Sequence, residues 1–119
     1  MGCPGMADSN IVTVLARAYV DDIDAALPLY RSLTGEQEHR FTYGPMSLAR
    51  LGQFILVQGA SDDIRAHTAT IAVRDMASAI AAIEEHGGSI LEGPDAGPNG
   101  ARAVARHGDG TIVEYIELG

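Results

Sequence analysis

The chain carries one short passage twice. Val20-Asp21-Asp22-Ile23-Asp24-Ala25-Ala26-Leu27 returns as Val73-Arg74-Asp75-Met76-Ala77-Ser78-Ala79-Ile80, at an offset of 53 that also places Gly35 on Gly88. A later echo pairs Ala49-Arg50-Leu51-Gly52 with Ala105-Arg106-His107-Gly108 at an offset of 56, so the second copy has gained a few residues. Each copy reads as a strand, an acidic cap, an amphipathic helix and a glycine stop. A repeat of this length is the size of a βαβ unit, not of a solenoid repeat. It restricts the chain to two similar modules about a pseudo-twofold axis, with function expected in the cleft between them.

Composition narrows the partners. With 119 residues the chain has one domain's length. Its 46% hydrophobic and 20% charged content is that of a globular protein. Eight Lys and Arg against 16 Asp and Glu give a net charge of −8, which argues against nucleic acid or an anionic membrane and suits a cationic ligand. One cysteine, Cys3, excludes an intrachain disulfide, and its terminal place makes it a poor nucleophile. No apolar run reaches membrane-spanning length, and a cytoplasmic location is expected. Residues 1–10 read as a flexible N-terminal segment. Met1-Gly2-Cys3-Pro4-Gly5 has no leader character, and Met6 is a candidate start. Residues 11–118 form the domain, with module one at about 11–59 and module two at about 66–118.

The β-branched run Ile11 to Val20 predicts a strand. Asp22 caps a helix whose apolar positions are Ile23, Ala26, Leu27 and Tyr30, with Pro28 inside and Gly35 at its end. Asp75 caps the second helix, with Met76, Ala79, Ile80 and Ile83 at the same spacing and Gly87-Gly88 as its stop. Further strands are expected at Glu38–Tyr43, Met46–Leu51, Gln53–Gln58, His67–Val73, Ser89–Glu92, Ala101–Arg106 and Thr111–Leu118. Residues 59–65 read as a linker and 93–100 as a loop. Each module is thus β-α-β-β-β.

In this order, and twice over, Tyr19 to Tyr30, Leu33-Thr34-Gly35, Val73-Arg74-Asp75-Met76, Glu92-Gly93-Pro94 and Gly108 to Glu114 resemble the vicinal oxygen chelate superfamily of glyoxalases, bleomycin-resistance proteins and extradiol dioxygenases. The resemblance spans residues 11–118. It implies an α+β fold in which two tandem βαβββ modules wrap eight strands into a cup with helices outside, and it implies a homodimer. Metal-dependent members place His, Gln or Glu at four points of the cup. Those points fall on Leu15, Thr68, Leu56 and Glu114, of which only Glu114 is a good ligand. His67 lies next to Thr68, and a one-residue shift would turn it to the other face. The expectation is therefore no metal cofactor, the alternative being a divalent ion held by Glu114 and His67.

Strand parity maps the faces. Val12, Val14, Ala16, Ala18 and Val20 are expected under the first helix, and Leu15, Arg17 and Tyr19 on the opposite, ligand face. Thr68 and Thr70 join that face, with Phe54, Leu56 and Gln58 of the fourth strand and Glu114 of the last. Arg17 and Glu114 read either as polar anchors for a ligand or as an ion pair that satisfies itself. Tyr19 and Phe54, with Phe41 and Tyr43, could stack on a flat ligand or simply pack. The leading expectation is a metal-free protein of the bleomycin-resistance type that sequesters a small molecule, cationic or aromatic, in the concave sheet or at the dimer interface, as antibiotic-resistance proteins do. The alternative is a metal-dependent lyase, isomerase or dioxygenase.

Overall fold

Alternation along the strands, and a polar residue at each helix start, set the elements of this chain. The computed structural model describes residues 9–97 and 100–118. Cys3, Met6 and the rest of the expected terminal segment before Ser9 lie outside the described residues, as do Pro98 and Asn99 of the expected loop. In chain order the elements are β1 (Ile11–Tyr19), α1 (Ile23–Thr34), β2 (His39–Tyr43), β3 (Met46–Leu51), β4 (Phe54–Gln58), α2 (Asp62–Arg65), β5 (Ala69–Val73), α3 (Met76–Glu85), β6 (Ser89–Gly97), β7 (Gly100–Arg106) and β8 (Ile112–Glu117). The strands form one eight-stranded sheet ordered β2-β3-β4-β1-β5-β8-β7-β6. The fold is α+β, and βαβββ occurs twice, as the repeat requires.

Two stretches differ from the sequence reading. The linker contains α2, whose first turn is capped by Ser61 Oγ accepting from Ile64 N. The stretch read as a loop from Gly93 continues β6 as far as Gly97. Register shifts between Ile90 and Glu92 and between Glu92 and Asp95 absorb Gly93-Pro94. Such a proline is tolerable because β6 is an edge strand.

Both long helices use the predicted caps. Asp22 Oδ1 accepts from Asp24 N, and Asp75 Oδ1 from Ala77 N. Gly35 closes α1 in the left-handed conformation, φ 69°, with its N–H on Arg31 O. A second device repeats as well. Ile23 N donates to Gln58 Oε1 at 2.9 Å, and Met76 N donates to Glu117 Oε2 at 2.8 Å. In each module the last strand thus satisfies the first N–H of the helix. The device also aligns the strands, Gln58 on Glu117 and hence Ile55 on Glu114.

The chain divides into two compact units, Leu15–Thr70 and the residues from Ile71 onward with the described residues before Leu15. In the first unit Ile23 and Leu27 of α1 pack on Ala49, Leu51 and Leu56, all fully buried. The opposite face of the same strands gathers Leu15, Met46, Leu48, Ile55 and Val57, with Tyr19, Phe41, Ala60 and Ile64 against them. In the second unit alternation from Glu117 puts Val113 and Tyr115 on the α3 side, opposite Ala105 and Ala103 of β7. Asn10 is tied into this unit rather than loose: its side chain exchanges two 2.8 Å hydrogen bonds with the Asp75 main chain, and its carbonyl accepts from Arg74 N. Val12 and Val14, expected under a helix, are exposed.

Arg31 on α1 holds Glu38 through Nε and Nη2 at 2.9 and 2.6 Å. This hydrogen bonding lowers the Glu38 pKa from the ordinary 4.5 to about 2. Because the folded value is the lower one, the pair's contribution is complete above the unfolded pKa and is lost as pH falls towards about 2. Denaturation midpoints of wild type and Glu38→Gln should therefore differ at neutral pH and converge near that limit. A difference that stayed constant with pH would contradict the assignment.

Candidate functional site

Polar groups on the helix-free face stand among apolar neighbours, so each must be satisfied where it sits. In the first unit β1 presents Leu15, Arg17 and Tyr19 on this face. The parallel register sets Arg17 beside Ile55 and Tyr19 beside Val57. Arg17 Nε donates to Thr70 Oγ1 at 3.0 Å, and Arg17 Nη1 to the Tyr19 hydroxyl at 3.1 Å. That hydroxyl lies 2.7 Å from both Ile64 O and His67 O, and its one proton serves them. The guanidinium of Arg65 lies 5.7 Å from the centre of the Tyr19 ring. Arg17, Tyr19 and Thr70, three of the predicted residues, thus form one hydrogen-bonded cluster. Thr68 is exposed and precedes β5. His67, read as a rim histidine and weak metal candidate, is instead buried.

In the second unit Glu114 of β8 faces away from α3, as parity required. Its Oε2 accepts from Arg102 Nε at 2.9 Å. Glu92 Oε1 is 3.7 Å from Arg102 Nη1. Arg102 is buried, at 7% exposure, and holds the carboxylate from the neighbouring strand, since Val104 is the residue directly opposite Glu114. The sequence reading missed Arg102. The signal was there: Arg102 stands opposite Ile116 as Leu48 stands opposite Val57, so the repeat replaces the apolar Leu48 and Ile55 by Arg102 and Glu114.

Three predicted site residues are on the wrong face. Leu56 is fully buried under α1, and Phe54 meets Tyr30 of α1 edge-on, with ring centres 4.9 Å apart. Gln58 caps the N-terminus of α1. The physical reason is register: Ala16 and Ala18, which face the helix, are the partners of Phe54 and Leu56. The residues of β4 on the helix-free face are Ile55 and Val57. Phe41 packs on that face, whereas Phe54 does not.

The metal positions implied by the resemblance are thereby redrawn. Ile55 replaces Leu56, and the set becomes Leu15, Ile55, Thr68 and Glu114. Two are hydrocarbon side chains buried in an apolar cluster, and the carboxylate of the fourth is engaged by a guanidinium. This donor set does not fit a divalent transition ion, which needs His, Cys or carboxylate ligands. Among the described residues no group of three or more His, Cys, Asp or Glu side chains is placed to hold a metal ion. No helix among them is long and apolar enough to cross a membrane.

On the α3 side, His107 Nε2 lies 2.6 Å from the Tyr115 hydroxyl, and burial pushes the Tyr115 pKa up. This contact closes the β7–β8 turn, where His107 N donates to Thr111 O and Thr111 N to Asp109 Oδ1. It is turn architecture, on the face opposite Glu114.

The chain is similar in structure to an uncharacterized protein from Methanosarcina mazei, with 30% identity over 93% of this chain and 95% of that one and a TM-score of 0.84. It is also similar to methylmalonyl-CoA epimerase from Mycobacterium tuberculosis, at 14% identity, 93% and 91% coverage and a TM-score of 0.73. Streptomyces coelicolor methylmalonyl-CoA epimerase, in complex with 2-nitronate-propionyl-CoA, matches at 15% identity, 93% and 96% coverage and a TM-score of 0.67. At such identities the two epimerases speak for the fold alone. No family model matches the chain, and no curated protein does.

Proposed function

We propose a function for a chain that belongs to the same family as the uncharacterized Methanosarcina mazei protein and has the glyoxalase/bleomycin-resistance fold: it binds a small organic molecule, without a metal, on the helix-free face of its sheet. One observation carries the reading. Leu15 and Ile55 stand at two of the places where the resemblance puts metal donors, yet the helix-free face of each unit keeps fixed polar groups, Arg17, Tyr19 and Thr70 in the first and Glu114 in the second. Apolar walls with a few fixed polar groups are the ordinary lining of a small-molecule site. Arg17, Tyr19 and Thr70 are the anchors of the first unit, with Thr68 beside them, and Glu114 is that of the second. Glu114 favours a ligand that brings a cation or a hydrogen-bond donor, and Tyr19 favours an aromatic one. Sequestering an antibiotic would fit this reading. So would a homodimer in the cytoplasm, since β2 and β6 leave strand edges open.

A thermal-shift panel of cationic antibiotics, thiols, aromatic metabolites and acyl-CoA thioesters tests the reading. Acyl-CoA thioesters enter because structural neighbours include epimerases of methylmalonyl-CoA. A hit raises the melting temperature, and the rise grows with the logarithm of its concentration above the dissociation constant. Stoichiometric zinc, nickel, manganese or iron in freshly purified protein would overturn the metal-free reading. A mass of one chain at micromolar concentration would remove the dimer. Glu114→Gln keeps an oxygen for Arg102 and should retain the thermal transition, while weakening a hit's binding by about 1–3 kcal/mol. Unchanged affinity would remove Glu114 from the site.

A further inference from the structure

The apolar face of the first unit is covered by the chain's own linker. Ala60 and Ile64 pack on Leu15, Met46, Leu48, Ile55 and Val57. The Tyr19 side chain fastens the linker there: its hydroxyl lies 2.7 Å from Ile64 O and from His67 O, and its ring lies 5.7 Å from the Arg65 guanidinium. His67, buried and with interactions of its own, anchors the far end of the segment, and the part before it is held lightly. Its helix α2 is four residues long and buries none of them, Ser61 caps it from within, and Asp62, Asp63 and Arg65 are exposed. A short helix with few buried groups opens at lower free energy than the sheet beneath it.

We propose that residues 59–66 are a strap over a binding site, hinged at the buried His67, and that Ile64 and its carbonyl mark what the site accepts: an apolar, flat or branched molecule carrying a hydrogen-bond acceptor. When the strap lifts, the ligand's hydrocarbon takes the place of Ile64 on Leu15, Ile55 and Val57. Its acceptor takes the place of the Ile64 carbonyl on Tyr19. Arg17, which donates to the same hydroxyl, keeps that hydroxyl oriented. This locates the ligand of the small-molecule reading above, and it rests on that reading.

The test uses the full chain and needs no natural ligand. Arg65 is exposed on the strap, and Arg74 is exposed outside it, so trypsin reports on both in one digest. Tyr19→Phe and Ile64→Ser should each raise cleavage after Arg65 about tenfold relative to cleavage after Arg74, with the cooperative thermal transition retained. The probe 8-anilinonaphthalene-1-sulfonate is flat, apolar and rich in acceptor oxygens. It should bind Ile64→Ser about tenfold more tightly than wild type, and adding Tyr19→Phe should weaken that binding about fivefold. An unchanged Arg65 rate overturns the strap. Cleavage rising equally at Arg65 and Arg74 signals global unfolding and overturns it too. A faster Arg65 cut without probe binding overturns the site beneath the strap. A compound panel with no hit counts against the small-molecule reading but moves neither the Arg65 to Arg74 ratio nor the probe's binding, so the two failures are separable.

Discussion

Replacing Arg102 by leucine should lower stability by about 2–4 kcal/mol, and replacing Glu114 by isoleucine in the same chain should return most of the loss. Arg102 is buried and holds Glu114 Oε2 at 2.9 Å, with Glu92 at 3.7 Å on its other side. Leucine there takes the guanidinium from a carboxylate whose side chain is only 14% exposed, where water can replace it poorly. The loss should fall somewhat below that of a fully buried pair, because the Glu92 side chain is half exposed and screened. The double replacement removes the desolvated charge together with its partner. The protein already contains the apolar version, since Leu48 and Ile55 hold the equivalent places in the first module. Urea titrations of wild type, Arg102→Leu and the double variant measure the three stabilities. A double variant no more stable than the single one would show that the second module requires the charges to fold. Recovery would show that the fold does not depend on the pair.

Much of this architecture was legible because the chain states it twice. Asp22 and Asp75, the apolar positions after them and Gly35 are local signals, and local signals decide caps and helices. Which face of a strand meets a helix is a different kind of fact. Parity separates Phe54, Leu56 and Gln58 from Ile55 and Val57, but both sets are mostly apolar, so hydrophobicity does not say which one the helix covers. The parallel register with β1 decides it, and that is a non-local property. The cap from Gln58 to Ile23 could have been suspected from its counterpart Glu117, because the two end equivalent strands. Arg102 was hidden in an alanine-rich strand, and its role comes from neighbours on the adjacent strands, Glu114 and Glu92. Residues 59–65 look like a linker by composition. Their Ser61-Asp62-Asp63 start is nevertheless a cap signal, and Ile64 is the apolar residue that such a turn can press onto a sheet.

The assignment of faces in β4 predicts a second large effect. Leu56→Ala should cost about 3–5 kcal/mol, the range for truncating a fully buried leucine whose surroundings cannot collapse. Leu56 is fully buried among Ile23 and Leu27 of α1 and Ala49 and Leu51 of β3, so the cavity would open between a helix and a sheet fixed by hydrogen bonds. Leu56→Glu should be worse and abolish the cooperative transition, since no cation lies in that cluster to receive a carboxylate. On the ligand face the same two variants would behave otherwise: alanine would mainly alter binding, and glutamate would restore a metal-donor residue at modest cost. Urea midpoints and the metal content of the purified variants separate the two placements. A stable Leu56→Glu protein that takes up zinc would return Leu56 to the ligand face and reopen the case for a metal site, whereas an unfolded one leaves Ile55 as the β4 residue that stands where Glu114 stands in the second module.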